Sequence, residues 1–333
     1  MLKKDFSKLS TIRITLLLFA LIILPFFLSA YSLGIAIAMV FGAFLAQTWN
    51  LMSGYAGLFS FGHAAFVGIG AYTSSLLFYY FKISPWFGML AGMLLSGLLG
   101  YFIAFLSVRY KLRGDYFALT TLAFAEILLV IANNTPFTLA SNGVTIPFNG
   151  TWKDFMFQDK KVFYFIVLIM VVGVTVLIAK LQKTKTGLYF IAMRESEDAA
   201  DALGVNIFRY KATAIVLSAM LASMGGTFYA QYYTYINAES VFASTISMDC
   251  VIPCIVGGSG TVVGPLIGTV LYKGFKEYTT VAFSKVPGAN MVAYAILMIL
   301  FLRFFPRGIM GIIADVREKA QEKKVMKNKA EVK

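Results

Sequence analysis

The sequence predicts an all-α polytopic membrane protein with about eight to ten transmembrane helices, including broken or re-entrant segments. Three observations carry this. The mean hydropathy is +0.76, and 59% of the residues are apolar against 14% charged. Several apolar runs reach the roughly 20 residues that a helix needs to cross a hydrocarbon core. The net charge is +13, yet the basic residues sit at the ends of those runs, as cytoplasmic loops require. A nucleic-acid-binding chain would gather such charge on one surface, so no nucleic acid is expected as a partner and membrane lipid is.

The elements follow in order. The start, MLKKDFSKLSTIR and then the apolar residues 14–31, has the outline of a signal peptide. Its apolar run is long for that role, and Leu28 is larger than the residue preferred there. It is read as a retained first helix with a cytoplasmic N-terminus. Further spans are expected at 33–51, 60–81, 85–108, 116–133, 162–181 and 212–233. Counting crossings puts 109–115 and the loop 182–211 inside, and both are basic-rich. Residues 134–161 then form the longest external loop, with Trp152 at the interface. A single span over 246–272 would leave the tail outside, against Arg303, Arg307 and the basic tail 315–333. A half-helix over 246–256 that turns back at Gly257-Gly258-Ser259-Gly260 removes the conflict. Spans at 264–283 and 289–302 then complete a transmembrane domain over 1–314, with both termini cytoplasmic. Irregular backbone at that depth needs a cover of protein or a water-filled cavity, so the break points to a translocation path.

Small residues recur every fourth position in Gly34-Ala38-Gly42-Ala46, Gly88-Gly92-Ser96-Gly100, Ser218-Ala222-Gly226-Ala230 and Gly260-Gly264-Gly268. Such stripes let neighbouring backbones approach and predict a tightly packed bundle. Other functions are disfavoured. The sequence has no G-x-x-x-x-G-K-[ST] phosphate loop, so it is not expected to hydrolyse ATP. Two cysteines, Cys250 and Cys254, and one histidine are too few for a disulfide framework or a zinc site. No metal or cofactor is expected. One histidine and scattered acids offer no nucleophile–base–orienter set, so the chain is not read as an enzyme.

Polar residues inside the spans are the candidates for the path. Glu126 stands in an apolar run, where a lipid-facing charge costs at least about 2.5 kcal/mol. It either lines or gates a pathway or is a carboxyl hydrogen-bonded to a neighbouring helix. Asp249 either caps the broken helix or faces an external mouth. His63 contacts substrate, gates, or serves as a structural hydrogen-bond donor. Asn50 and Ser53, with Gly54 and Gly57, mark another irregular segment beside the cavity. Gly257, Gly258 and Gly260 belong to the path through the break. Arg113 and Asp115 are read as an anchor or a local ion pair at the membrane surface.

The loop 182–211 holds a polar island, RESEDAADALGVNIFRYK (194–211), that reads as a short helix. Ser196 suits the N-cap, Glu197 and Asp198 suit the first turn, and Gly204 suits the stop. Ala199, Ala202 and Leu203 share one face; Glu197, Asp198 and Asp201 share another. At about 10 Å it is too short to stand alone.

Asp198-Ala199-Ala200 followed by Gly204 resembles the acid-Ala-Ala-x-x-x-Gly signature of ABC importer permeases. WNLMSGYAGLFSFGHAAFVGIGAY (49–72), RGDYFALTTLAFAEI (113–127), GGSGTVVGPLIG (257–268) and FPRGIMGI (305–312) resemble the M-type permease subunit of branched-chain amino-acid ABC importers. The resemblance implies the ABC importer permease fold, in the plasma (inner) membrane, and one half of a pore. It implies a second homologous permease subunit, two ATPase subunits that bind ATP, and an extracytoplasmic solute-binding protein. It also implies ATPase coupling through Glu195, Asp198, Ala199, Ala200, Leu203 and Gly204, with the two alanines and Leu203 in a groove of the ATPase and acids at its rim. Similar permeases carry urea, other amides or other amino acids. A single-chain secondary transporter or channel is the rival class, distinguished by whether transport needs a separate ATPase.

Overall fold

The computed structural model describes residues 19–283 and positions 288–289, 292–293, 295–296, 299, 303 and 308–312. The expected tail 315–333 lies outside the described residues, as do residues 14–18 of the first expected span and most of the span 289–302. Residues 19–23 are helical, and a 3-10 turn follows at Leu24–Phe26. The first span therefore ends before residue 31: the Ser29 hydroxyl accepts from the amide of Ser32 and starts the next helix.

That helix, α1, runs Ala30–Trp49 and continues as a π-helical turn, Asn50–Tyr55. It is followed by α2 (His63–Phe81), α3 (Pro85–Arg109), α4 (Gly114–Asn134) and α5 (Lys160–Leu181). Two short helices come next, α6 (Lys185–Glu195) and α7 (Glu197–Ala202), and then the long α8 (Ile207–Tyr233). The last described elements are α9 (Ala238–Phe242), α10 (Ser244–Gly257) and α11 (Gly264–Ala282). Among the described residues seven helical segments are long and apolar enough to cross a membrane, one of them Ala238–Gly257. The expected half-helix over 246–256 falls within α10, which ends at Gly257 where the chain was expected to turn back, and α9 extends it toward its N-terminal side. The two helices stand end to end, broken at Ala243, where ψ of 148° interrupts the helical path.

Small residues set the packing. α2, α3 and α8 pack mutually, and α1 packs on α5, α10 and α11. Gly88, Gly92, Ser96 and Gly100 are all buried. A Cβ on Gly92 would lie 3.1 Å from the Gly70 Cα, and one on Gly100 would lie 3.1 Å from the Ala219 Cβ. Ser96 Oγ donates to the Ala219 carbonyl at 2.9 Å, which satisfies the hydroxyl where no water reaches. Ser218, Ala222, Gly226 and Ala230 form the matching face of α8. Cys250 and Cys254 are buried packing residues, and Cys254 Sγ donates to the Ala46 carbonyl at 2.9 Å.

The helix ends form two differently built surfaces. At one end the 134–161 connection is folded, not a plain loop. It holds 3-10 turns and a strand β1 (Val144–Thr145), antiparallel to β2 (Tyr235–Ile236). Trp86 Nε1 donates to the Trp152 carbonyl at 2.9 Å, and the Trp86 ring stacks on Phe155 at 4.2 Å between centroids. The opposite end gathers the chain reversal 56–62, the α3–α4 connection, α6, α7 and the turn 258–263.

Candidate functional site

The site is built on α7. Ser196 caps it, its Oγ accepting from the Ala199 amide at 3.2 Å. The helix stops where the Gly204 and Val205 amides donate to the Asp201 and Ala200 carbonyls, at 2.8 and 3.1 Å. Gly204 has φ of +82°, and a Cβ at this position would meet no atom within 4 Å, so backbone conformation alone asks for glycine here. Six residues cannot hold a helix in water, and three cationic arms fix this one to the bundle. Arg113 bonds Asp198 through both ends of its guanidinium, at 2.8 and 3.0 Å, and its Nε meets Glu197 at 2.6 Å. Lys211, buried near the start of α8, pairs with Glu197. The guanidinium beside Asp198 donates to that carboxylate and, through its charge, holds it below the usual carboxylate range.

The third arm is Arg194, two residues before the cap. Its Nη1 donates to the Gly54 carbonyl in the π-turn at 3.0 Å, while Nη2 meets Glu195 at 2.8 Å. Asn50 of the same turn is fully buried and binds the 258–263 turn twice. Its Oδ1 accepts from the Gly260 amide at 2.8 Å, and its Nδ2 donates to the Thr261 carbonyl at 2.9 Å. Ser53 Oγ donates to the Leu58 carbonyl at 2.8 Å and closes the chain reversal. Gly308, from the FPRGIMGI stretch, approaches Gly258 so closely that a Cβ would lie 2.6 Å from its amide nitrogen.

Several expectations change. Ala200 is 2% exposed and packs into the bundle core, so it cannot face a partner's groove. Ala199, Leu203 and Gly204 are exposed, Leu203 by 84%, and with Asp198 and Glu195 they form the outward surface. Arg113 pairs with Glu197 and Asp198, not with Asp115. Asp249 does not cap a helix: it lies inside α10, where its carboxylate meets Lys273 of α11 at 2.5 Å. Tyr272 donates to the same carboxylate, also at 2.5 Å. His63 is fully buried, with Nε2 3.2 Å from Ser218 Oγ, which is the placement of a structural hydrogen-bonding residue. Glu126 lies on an exposed face of α4 beside Ile127 and Val130, and among the described residues it does not lie between helices. Gly257 packs against α11, near Gly264 and Gly268. The structure therefore gathers Asn50, Ser53, Gly258 and Gly260 at one end and leaves His63, Glu126 and Asp249 apart.

The Arg194, Arg113, Lys211 and Lys273 pairings were missed from sequence. For Arg113 and Lys211 the signal available was negative, since neither has an acid three or four residues away; Lys273 and Arg194 do have such acids, which mask their long-range partners. Among the described residues no group of three His, Cys, Asp or Glu side chains gathers to hold a metal.

The family model described as branched-chain amino acid transport system / permease component matches residues 31–302. The high-affinity branched-chain amino acid transport system permease protein LivM of Salmonella typhimurium is 29% identical, over 90% of this chain and 76% of that protein. LivM of Escherichia coli is 28% identical over the same shares. LivH of Salmonella typhimurium, named as a permease protein of the same kind of system, is 23% identical over 86% of this chain and 96% of its own length. No solved structure matches the chain.

Proposed function

The chain belongs to the branched-chain amino acid transport system permease family, and from that premise we propose that it is the M-type membrane subunit of an ABC importer for branched-chain amino acids. It is a multi-pass membrane protein. In the proposed assembly it pairs with a second homologous permease of the LivH kind, stands on two ATPase subunits, and receives substrate from an extracytoplasmic binding protein. ATP is bound by the ATPases, and both termini and α7 face the cytoplasm of a plasma-membrane importer.

One observation carries the reading. α7 is a helix too short to exist alone, fixed to the bundle by Arg113, Lys211 and Arg194, with Ala199, Leu203 and Gly204 turned outward. An 84%-exposed leucine next to an exposed glycine in a rim of acids is the form of a helix made to enter another protein's groove. ATP-driven closure of the ATPases then pushes on α7, and the helices rock so that a central path opens to the other side. Glu126 supports a second permease subunit: a carboxylate on an outward membrane face is stable only where something other than lipid covers it.

The test is co-purification from mild detergent. Recovery of a second permease and ATPase chains with ATP-driven uptake of branched-chain amino acid is expected. Leu203→Glu should weaken the ATPase association by about 2 kcal/mol without lowering thermal stability. Uptake by the chain alone, or unchanged association in that variant, would overturn the reading.

A further inference from the structure

We infer that Arg194 is a positioning residue that ties α7 to the π-turn of α1 and to the 258–263 turn between α10 and α11, so that all three move as one body. The inference rests on the importer reading above and adds the route by which a push on α7 reaches the far half of the bundle.

The residues of this link lie far apart in the chain. Arg194 lies in the last turn of α6, the Ser196 amide still donates to the Ala192 carbonyl at 3.1 Å, and Ser196 is the single extended residue that joins α6 to α7. The guanidinium divides its donors between the Gly54 carbonyl and the Glu195 carboxylate. The stem lies on Gly57, where a Cβ would sit 2.8 Å from the Arg194 Cγ. The fork lies on Gly260, where a Cβ would sit 2.6 Å from Nη1 and 2.9 Å from the Gly54 oxygen. Gly260, at φ of +75°, is thus pressed between the arginine and the π-turn. Asn50 completes the unit by holding both Gly260 and Thr261. Gln182, where the connection leaves α5, bonds the Tyr55 hydroxyl. The two ends of segment 182–195 therefore both grip the C-terminal end of the π-turn, at Tyr55 and Gly54.

Lysine could not take the place of Arg194, because the link needs two divergent donors on a planar group seated on glycines. A π-turn is a good place to receive motion. It carries one residue more per turn than an α-helix and sits inside the continuous Ala30–Tyr55 span, where register can change without breaking the helix. The other two arms lead elsewhere: Arg113 to the start of α4 and Lys211 to α8. Of the three, Arg194 is the arm that leads to α1, α10 and α11.

The experiment uses the purified importer complex in liposomes and reads amino acid transported per ATP hydrolysed. In parallel, spin labels on Tyr110→Cys and Val263→Cys, both exposed positions, report whether nucleotide moves the 258–263 turn; the native cysteines are buried. In wild type the distance should change on ATP binding. Arg194→Ala should keep ATP hydrolysis, lose about tenfold in transport per ATP and lose the distance change; Arg194→Lys should fall between. A ratio and a distance change equal to wild type in Arg194→Ala would overturn the link. If that variant fails to assemble, Arg194→Lys and Asn50→Asp decide instead. Asn50→Asp keeps the acceptor for Gly260 and loses the donor to Thr261, and wild-type coupling in both variants would overturn the link as well. A wild-type complex without ATP-driven uptake would instead sink the importer reading itself.

Discussion

The two ends of the bundle solve the same problem with different chemistry. Each must join helices whose connections leave backbone groups unpaired. The end that carries β1 and β2 does so with neutral parts: a two-residue strand pair, 3-10 turns, and rings such as Trp86 on Phe155. The end that carries α7 does so with ions: Arg113, Arg194 and Lys211 on Glu197, Asp198, Glu195 and backbone carbonyls. Apolar packing holds one arrangement, because displacing an interdigitated ring opens a void. Charged side chains on long stems keep their attraction through small displacements, since Coulomb energy falls slowly with distance. The first end is built to stay, the second to move while remaining attached.

That contrast can be broken in four places. Ile236→Asp puts a charge on a fully buried strand residue. It should cost about 4 kcal/mol or more and lower the melting temperature, yet leave transport per ATP unchanged in the protein that survives. A changed coupling ratio would show that the strand end takes part in the motion. Lys211→Met leaves Glu197, whose side chain is 15% exposed, with Arg113 as its remaining ion partner. A loss of about 3 kcal/mol is expected, and adding Glu197→Gln should restore part of it in a thermal melt.

Gly204→Ala meets no neighbour and suffers only the left-handed backbone, a strain of about 1 kcal/mol, or roughly fivefold weaker binding to the ATPase subunits. Asn at the same position should cost less, and equal losses for the two would mean that something other than φ is being read. The smallest effect concerns Asp198. Its carboxyl is held below the usual range by Arg113, so the pair stabilises the fold above the ordinary carboxylate range, and this is lost as pH falls through the lowered value. Acid unfolding followed by tryptophan fluorescence should begin slightly earlier in Asp198→Asn. The variant should also lose the part of the pH dependence below the usual carboxylate range.

The sequence by itself determined that the chain is helical and crosses a membrane, and nearly where each described span lies. In lipid every backbone group must be satisfied within its own segment, so an apolar run of sufficient length has one available structure. It also determined the ends of α7, because a Ser cap and a Gly stop act over four residues or fewer. The small-residue stripes of α3 and α8 were legible for the same local reason, whereas Gly260 of the expected 260–268 stripe lies in the turn before α11. Only the tertiary structure decided which face of α7 turns inward, burying Ala200 and exposing Leu203. It alone decided that Arg113 pairs with residues 84 and 85 positions away, that Asp249 finds Lys273 on the next helix, and that Glu126 is exposed among the described residues. A charge attracts any opposite charge within reach, with no period and no fixed separation in sequence, so its partner is settled only when the helices have chosen their neighbours.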